Sequence, residues 1–192
     1  MKNRTGLKTI DLVLIGAFAA LMAICAWITV PGTVPFTLQT FGVFIAFYLL
    51  GGKRGTIAVL IYILLGAVGL PVFSGFKGGY GVLIGTTGGY IIGFLFSALV
   101  MWALYKPLLN TEKRNKITKL LIPFCEMIIG LIVCYAFGTA WFMVVYTHSK
   151  GALSLATCLS WCVIPFIIPD LIKITLALAL GYRLKPFVPG NR

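Results

Sequence analysis

In 192 residues the chain is 60% apolar and only 10% charged, with a mean hydropathy of +1.03, a balance that no water-soluble domain of this size shows. Its 16 lysines and arginines against 4 acidic residues give a net charge of +12. The basic residues fall in short clusters between apolar runs, which is the distribution of membrane topology and not of a nucleic-acid surface. The chain is therefore read as a single all-α domain over residues 1–192, integral to a lipid bilayer and without a nucleic-acid partner.

Met1 to Lys8 is polar and basic, and Leu12 to Val30 then runs nineteen residues without a charge. A basic start before an apolar run also describes a signal peptide, but a run this long, followed by further spans, suits a retained helix better. Asp11 is a favourable carboxylate in the first turn. Pro31-Gly32-Thr33-Val34-Pro35 breaks this helix, Phe36 to Leu50 makes the second, and Gly51-Gly52-Lys53-Arg54 separates it from a third over Gly55 to Leu70.

Pro71 to Gly89 is glycine-rich, too apolar for a solvated linker and too flexible for a helix, and is expected to fold back as a lid or re-entrant loop. Tyr90 to Tyr105 is the fourth helix, Leu120 to Tyr146 the fifth, and Leu153 to Tyr182 the sixth, interrupted by Pro165 and Pro169.

Alternating the loops across six spans puts the clusters Lys2-Arg4-Lys8, Lys53-Arg54, Lys106 to Lys119 and Arg183-Lys185-Arg192 on one side, against Lys77 and Lys150 on the other. The bias places both termini in the cytoplasm. The glycine loop and the Pro31 to Phe36 turn then lie at the outer face. Asp170 sits about 18 Å above the cytoplasmic end near Tyr182 at 1.5 Å per residue, in the outer half.

Asp170 and Lys173 are the informative charges. They lie three residues apart, on nearly one face of a helix, in a stretch where each ion costs about 3 kcal/mol on insertion scales. Such a pair is either a structural salt bridge or a ligand site. Further polar groups face the same side: Thr37, Gln39 and Thr40 at the start of the second helix, Thr86, Thr87 and Tyr90 before the fourth, and Trp141 in the fifth. Gln39 demands a partner in hydrocarbon. Thr37 and Thr40 fit helix capping as well as ligand contact, and Trp27 fits an interfacial aromatic belt. Glu126, in the cytoplasmic half, is expected to snorkel toward Lys119 or Lys116.

Catalytic and metal chemistry find no support. Gly81 to Thr87 lacks the lysine and spacing of a phosphate loop, and there is no hydrolase elbow or carboxylate pair at enzyme spacing. Cys25, Cys125, Cys134, Cys158 and Cys162 all lie in apolar runs and read as small core residues, so no metal is expected. A transporter, not an enzyme, is the expectation, and one without its own ATPase.

Four segments in this order, Pro35-Phe36-Thr37-Leu38-Gln39-Thr40, Leu64 to Phe73, Gly85-Thr86-Thr87-Gly88-Gly89-Tyr90 and Asp170-Leu171-Ile172-Lys173, resemble the BioY family over essentially the whole chain. These are the biotin-specific S components of energy-coupling factor (ECF) transporters. The resemblance implies the six-helix S-component fold in the bacterial cytoplasmic membrane, biotin bound near the outer face, and assembly with a transmembrane coupling protein and two ABC-type ATPases. The chain departs from that pattern at Thr86, at Phe76-Lys77 within an otherwise small-residue lid, and at Pro169.

Under this reading Asp170 accepts from the ureido N–H groups and Lys173, Gln39 or Tyr90 donates to the ureido carbonyl, or Lys173 holds the tail carboxylate instead. Lys77 and threonines stand near the tail, and Phe36, Phe73 and Trp141 supply apolar walls. Gly16, Ala19, Ala20, Ala23 and Ala26 form a small-residue stripe on the first helix, fit for internal packing or for a docked helix. The resemblance implies docking of the coupling protein. A self-sufficient proton-coupled transporter using Asp170 and Glu126 is the competing reading, weakened by the lack of inverted halves.

Overall fold

A computed structural model describes residues 7–108 and 115–189, and Lys2, Arg4, Lys113, Arg114 and Arg192 lie outside these described residues. The helices are α1 (Thr9–Trp27), α2 (Gln39–Ala67), α3 (Tyr80–Ile84), α4 (Gly88–Leu108), α5 (Lys116–Lys150), α6 (Leu155–Cys162) and α7 (Ile164–Leu184), with strands β1 (Thr29–Val30) and β2 (Phe36–Thr37) between α1 and α2. Among the described residues five helical stretches are long and apolar enough to cross a membrane.

The Asp11 carboxylate begins α1, accepting from the Lys8 backbone N–H (2.9 Å) and from Arg54 Nη1 (2.8 Å). The helix stops at Trp27 and not at Val30. Ile28, Thr29 and Val30 are three successive β-branched residues, which favour extended backbone, and Thr29 pairs with Thr37 and Val30 with Phe36 in an antiparallel ladder.

The expected second and third helices are the two arms of α2. Gly51 (φ 77°, ψ 174°) reverses the chain, a backbone that only glycine adopts without strain. Gln39 Nε2 consequently reaches Tyr62 Oη at 2.5 Å, although 23 residues of straight helix would span about 35 Å. Counting these arms separately recovers six helices. The arm over 39–50 is about 18 Å long, shorter than the roughly 30 Å hydrocarbon layer. Its residues from Val43 to Leu50 are all buried, because this arm is the centre of the bundle, packed by α1, α4 and α7.

Small residues let the remaining helices approach closely. Gly89 lies under Trp141, Gly138 under Tyr90 and Gly93 against Cys134 where α4 meets α5, and Gly181 lies under Tyr48 where α7 meets α2. The sixth expected helix is split into α6 and α7 at Val163 (φ −126°), with Pro165 in the first turn of α7, where its missing N–H costs nothing. Pro169 is accommodated inside α7.

The segment after α2 departs from the expectation of a helix-free loop, since Tyr80–Ile84 forms the short helix α3. Gly79 (φ 95°) supplies the bend before it, and Leu83 is buried. The segment does fold back on the protein. Phe73 is fully buried edge-on against Tyr62, its ring occupying the space that a Cβ on Gly66 would need. Gly66→Ala is therefore expected to destabilise the protein by about 1–3 kcal/mol through overpacking, read as a lower Tm in detergent, and Phe73→Leu in the same chain should recover part of the loss.

The stripe on α1 is not a continuous outer face. Ala19, Ala23 and Ala26 are buried inside the chain, where α2 closes on α1 and Gly42 meets Met22 and Cys25. Gly16 and Ala20 remain exposed.

Candidate functional site

The polar groups that the sequence scatters over 130 residues converge because β2, the start of α2, the middle of α5 and the first half of α7 meet at one level. Asp170 and Lys173 are only 2% and 3% exposed, so their charges must be satisfied inside. Lys173 Nζ donates to Asp170 Oδ1 (2.7 Å) and to the Thr37 carbonyl (2.7 Å), and lies 4.1 Å from the centroid of the Phe36 ring. Asp170 Oδ1 also accepts from Thr40 Oγ1 (2.9 Å), and Oδ2 from Tyr135 Oη (2.5 Å).

The pair is a mutual salt bridge, and it lines a cavity of about 110 Å³. A carboxylate offers about four acceptor sites and an ammonium three donors. Three of the former and two of the latter are taken, which leaves roughly one of each for a ligand.

Gln39 forms the second polar unit. Its Oε1 accepts from Thr37 Oγ1 (3.0 Å) and its Nε2 donates to Tyr62 Oη, which in turn donates to the Val72 carbonyl (3.1 Å). This chain of bonds ties the cavity to the loop above it, and Gln39 keeps a second amide N–H. Tyr90 Oη shares a hydrogen bond with Thr139 Oγ1 at 3.0 Å.

Of the residues singled out from sequence, Thr37, Gln39, Thr40, Phe73, Lys77, Tyr90, Asp170 and Lys173 line the cavity. Phe36, Thr86 and Trp141 are not among its lining residues. Phe36 stands one layer back, stacked on Phe166, which does line it. Thr87 takes the lining position beside Thr86. Trp141 donates its indole N–H to the Gly85 carbonyl (3.0 Å), so it holds the turn before α4 instead of walling the cavity.

Sequence reasoning missed Tyr135, the closest partner of Asp170, and Cys162, Phe94 and Phe166 in the wall. Nothing in an unbroken apolar helix distinguishes one tyrosine from its neighbours, although a phenol 35 residues before a buried carboxylate is a donor that the carboxylate needs. Trp27, exposed at the end of α1, donates its indole N–H to the Pro71 carbonyl at 2.7 Å, a contact that the sequence did not suggest. Glu126 is only 3% exposed and Lys119 is exposed, while among the described residues the cation nearest in effect is Lys185, which lies over the Tyr48 ring. The Lys116 side chain lies outside the described residues.

Comparison with known proteins agrees over the full length. The sequence family described as the BioY family matches residues 1–190. The biotin transporter BioY of Thermotoga maritima is 42% identical over 177 residues, covering 91% of this chain and 95% of that protein. A probable biotin transporter BioY of Pyrococcus horikoshii is 37% identical, covering 93% and 98%. Among solved structures, the S-component for biotin from an ECF-type ABC transporter superposes with a TM-score of 0.79 at 30% identity, covering 97% of this chain and 95% of that one.

Proposed function

This chain belongs to the BioY family, and from that premise we propose that it captures biotin in the cavity around Asp170 and Lys173 and is the substrate-specific subunit of an ATP-driven ECF importer. It is a multi-pass protein of the bacterial cytoplasmic membrane, with both termini inside and the cavity in the outer half. It carries no ATPase of its own, and its energy comes from a transmembrane coupling protein and two ABC-type ATPases. Biotin is its cargo and no cofactor is required.

The observation that carries this reading is the buried pair with one acceptor and one donor left over. A ureido group, with two N–H donors and one polarised carbonyl, is a neutral ligand that uses both at once. Lys173 is already neutralised by Asp170, and bringing a second carboxylate against them would bury an uncompensated charge. The ureido ring therefore belongs at Asp170 and Lys173, with Gln39 as a further donor. Phe73, Val82, Ile91 and Phe94 provide the apolar contact for the sulfur ring. The tail carboxylate belongs at the rim, where Lys77 lines the cavity, is exposed, and makes no ion pair among the described residues.

Calorimetry on the detergent-solubilised chain should show tight biotin binding at one site per monomer and none for thiamine or riboflavin. Biotin methyl ester should lose less than about tenfold in affinity, since a rim charge pair contributes little. Loss of ester binding altogether would place the tail, not the ureido ring, on Lys173. Binding of another vitamin in place of biotin would overturn the assignment.

A further inference from the structure

The loop over the cavity is held from two sides, and only one hold is explained by packing inside the bundle. Residues 73–77 form a tight hairpin in which Phe73 N–H donates to the Lys77 carbonyl at 2.9 Å. Phe73 is its inner anchor under Gly66, and Ser74 and Lys77 line the cavity. Phe76 points the other way, 64% exposed, and carries a left-handed backbone (φ 57°) that is costly for a bulky side chain. Something must hold it there. Its ring stacks on Trp27 with centroids 5.0 Å apart and planes 21° from parallel, while the indole N–H of Trp27 donates to the Pro71 carbonyl at the base of the same loop. Two residues on, Thr29 Oγ1 meets Ser74 Oγ at 2.9 Å.

We propose that Trp27 is a positioning residue that latches the 73–77 hairpin over the cavity through Phe76 and Pro71, and thereby sets how long the ligand stays bound. Trp27 does not line the cavity, so its effect passes entirely through the hairpin. The inner anchor fixes where the hairpin sits, and the outer clasp fixes how often it lifts. Loosening the clasp leaves Asp170, Lys173, Gln39 and Tyr90 unchanged, so the intrinsic recognition of the ligand stays intact. The latch makes dissociation slow without changing which molecule is recognised. A tryptophan serving only as an interfacial anchor would have no such effect.

The proposal rests on biotin being the ligand, and its test has one readout that does not. Trp27→Ala, Trp27→Phe, Phe76→Ala and the double variant Trp27→Ala/Phe76→Ala are compared with the wild type by amide hydrogen exchange over 73–79 in ligand-free protein, and by stopped-flow dissociation of biotin. Trp27→Ala and Phe76→Ala should each speed exchange of the hairpin amides and raise the dissociation rate about tenfold, the effect of losing a stacked aromatic pair or its hydrogen bond, with the association rate within about twofold. Trp27→Phe, which keeps a ring but no N–H, should fall between. The double variant should be no worse than the larger single change, because both remove the same clasp. Unchanged hairpin exchange, an unchanged dissociation rate, or additive effects would each overturn the latch. Absence of biotin binding by the wild type would instead overturn the function proposed above, while the exchange data would still decide the latch.

Discussion

Asp170→Asn and Lys173→Met are each expected to weaken biotin binding by about 10- to 150-fold, the loss of one charge-assisted hydrogen bond of about 1.5–3 kcal/mol in a buried site. Each should also lower the Tm, because removing one member of a buried pair leaves the other as an uncompensated charge, at a cost of about 3–5 kcal/mol. The two effects separate in the double variant Asp170→Asn/Lys173→Met. No net charge is then buried, so much of the thermal stability should return, whereas the acceptor and donor for the ureido group are both gone and binding should not. Calorimetry and thermal unfolding on the same samples read the two quantities independently. A double variant that folds well and binds biotin like the wild type would show that the pair only braces α7 against β2 and α5.

Ala20→Trp is expected to abolish biotin uptake in cells carrying the coupling protein and the ATPases, while leaving biotin affinity in the purified chain within about twofold. The reason is that α1 has two faces. Ala19, Ala23 and Ala26 are turned into the bundle, whereas Ala20 and Gly16 are exposed and belong to no part of the cavity. A large ring at Ala20 denies close approach to another helix, and under the proposed function ATP hydrolysis would act on this subunit through such contact. Ala23→Trp makes the contrast. At 5% exposure it has no room for the ring, so overpacking should lower the Tm and the yield of folded protein. Normal uptake by Ala20→Trp would remove the outward face of α1 as the docking surface.

Part of the candidate cavity lining was legible before the fold was known, and for a single reason. A charge or an amide within an apolar segment is expensive, so Asp170, Lys173 and Gln39 stand out in a linear reading, and all three line the cavity. Aromatic residues carry no such signal, because Trp, Tyr and Phe are at home in a membrane helix wherever they sit. Trp141 and Phe36 accordingly belong to the layer behind the cavity, Trp27 contacts the loop through Pro71, and Tyr135 passed unnoticed although it donates to Asp170. The small-residue stripe illustrates the same limit. Helical periodicity collects Gly16, Ala19, Ala20, Ala23 and Ala26 into one band about a helix, but only the position of α2 decides which edge of the band it covers.

Composition and charge pattern by themselves determined that the chain is a helical membrane protein with several long apolar spans, and that Asp170 and Lys173 form an ionic pair within one of them. These are properties of transfer between water and hydrocarbon, which each residue contributes additively along the chain. The tertiary structure alone decided that Gly51 folds one apolar stretch into a central hairpin, that Tyr135 and Thr40 complete the shell of Asp170, and that Phe73 and Trp27 hold the two sides of the loop. Those are directional contacts between residues 10 to 130 positions apart, and a hydrogen bond or a stacked ring depends on where its partner is placed, which no local pattern records.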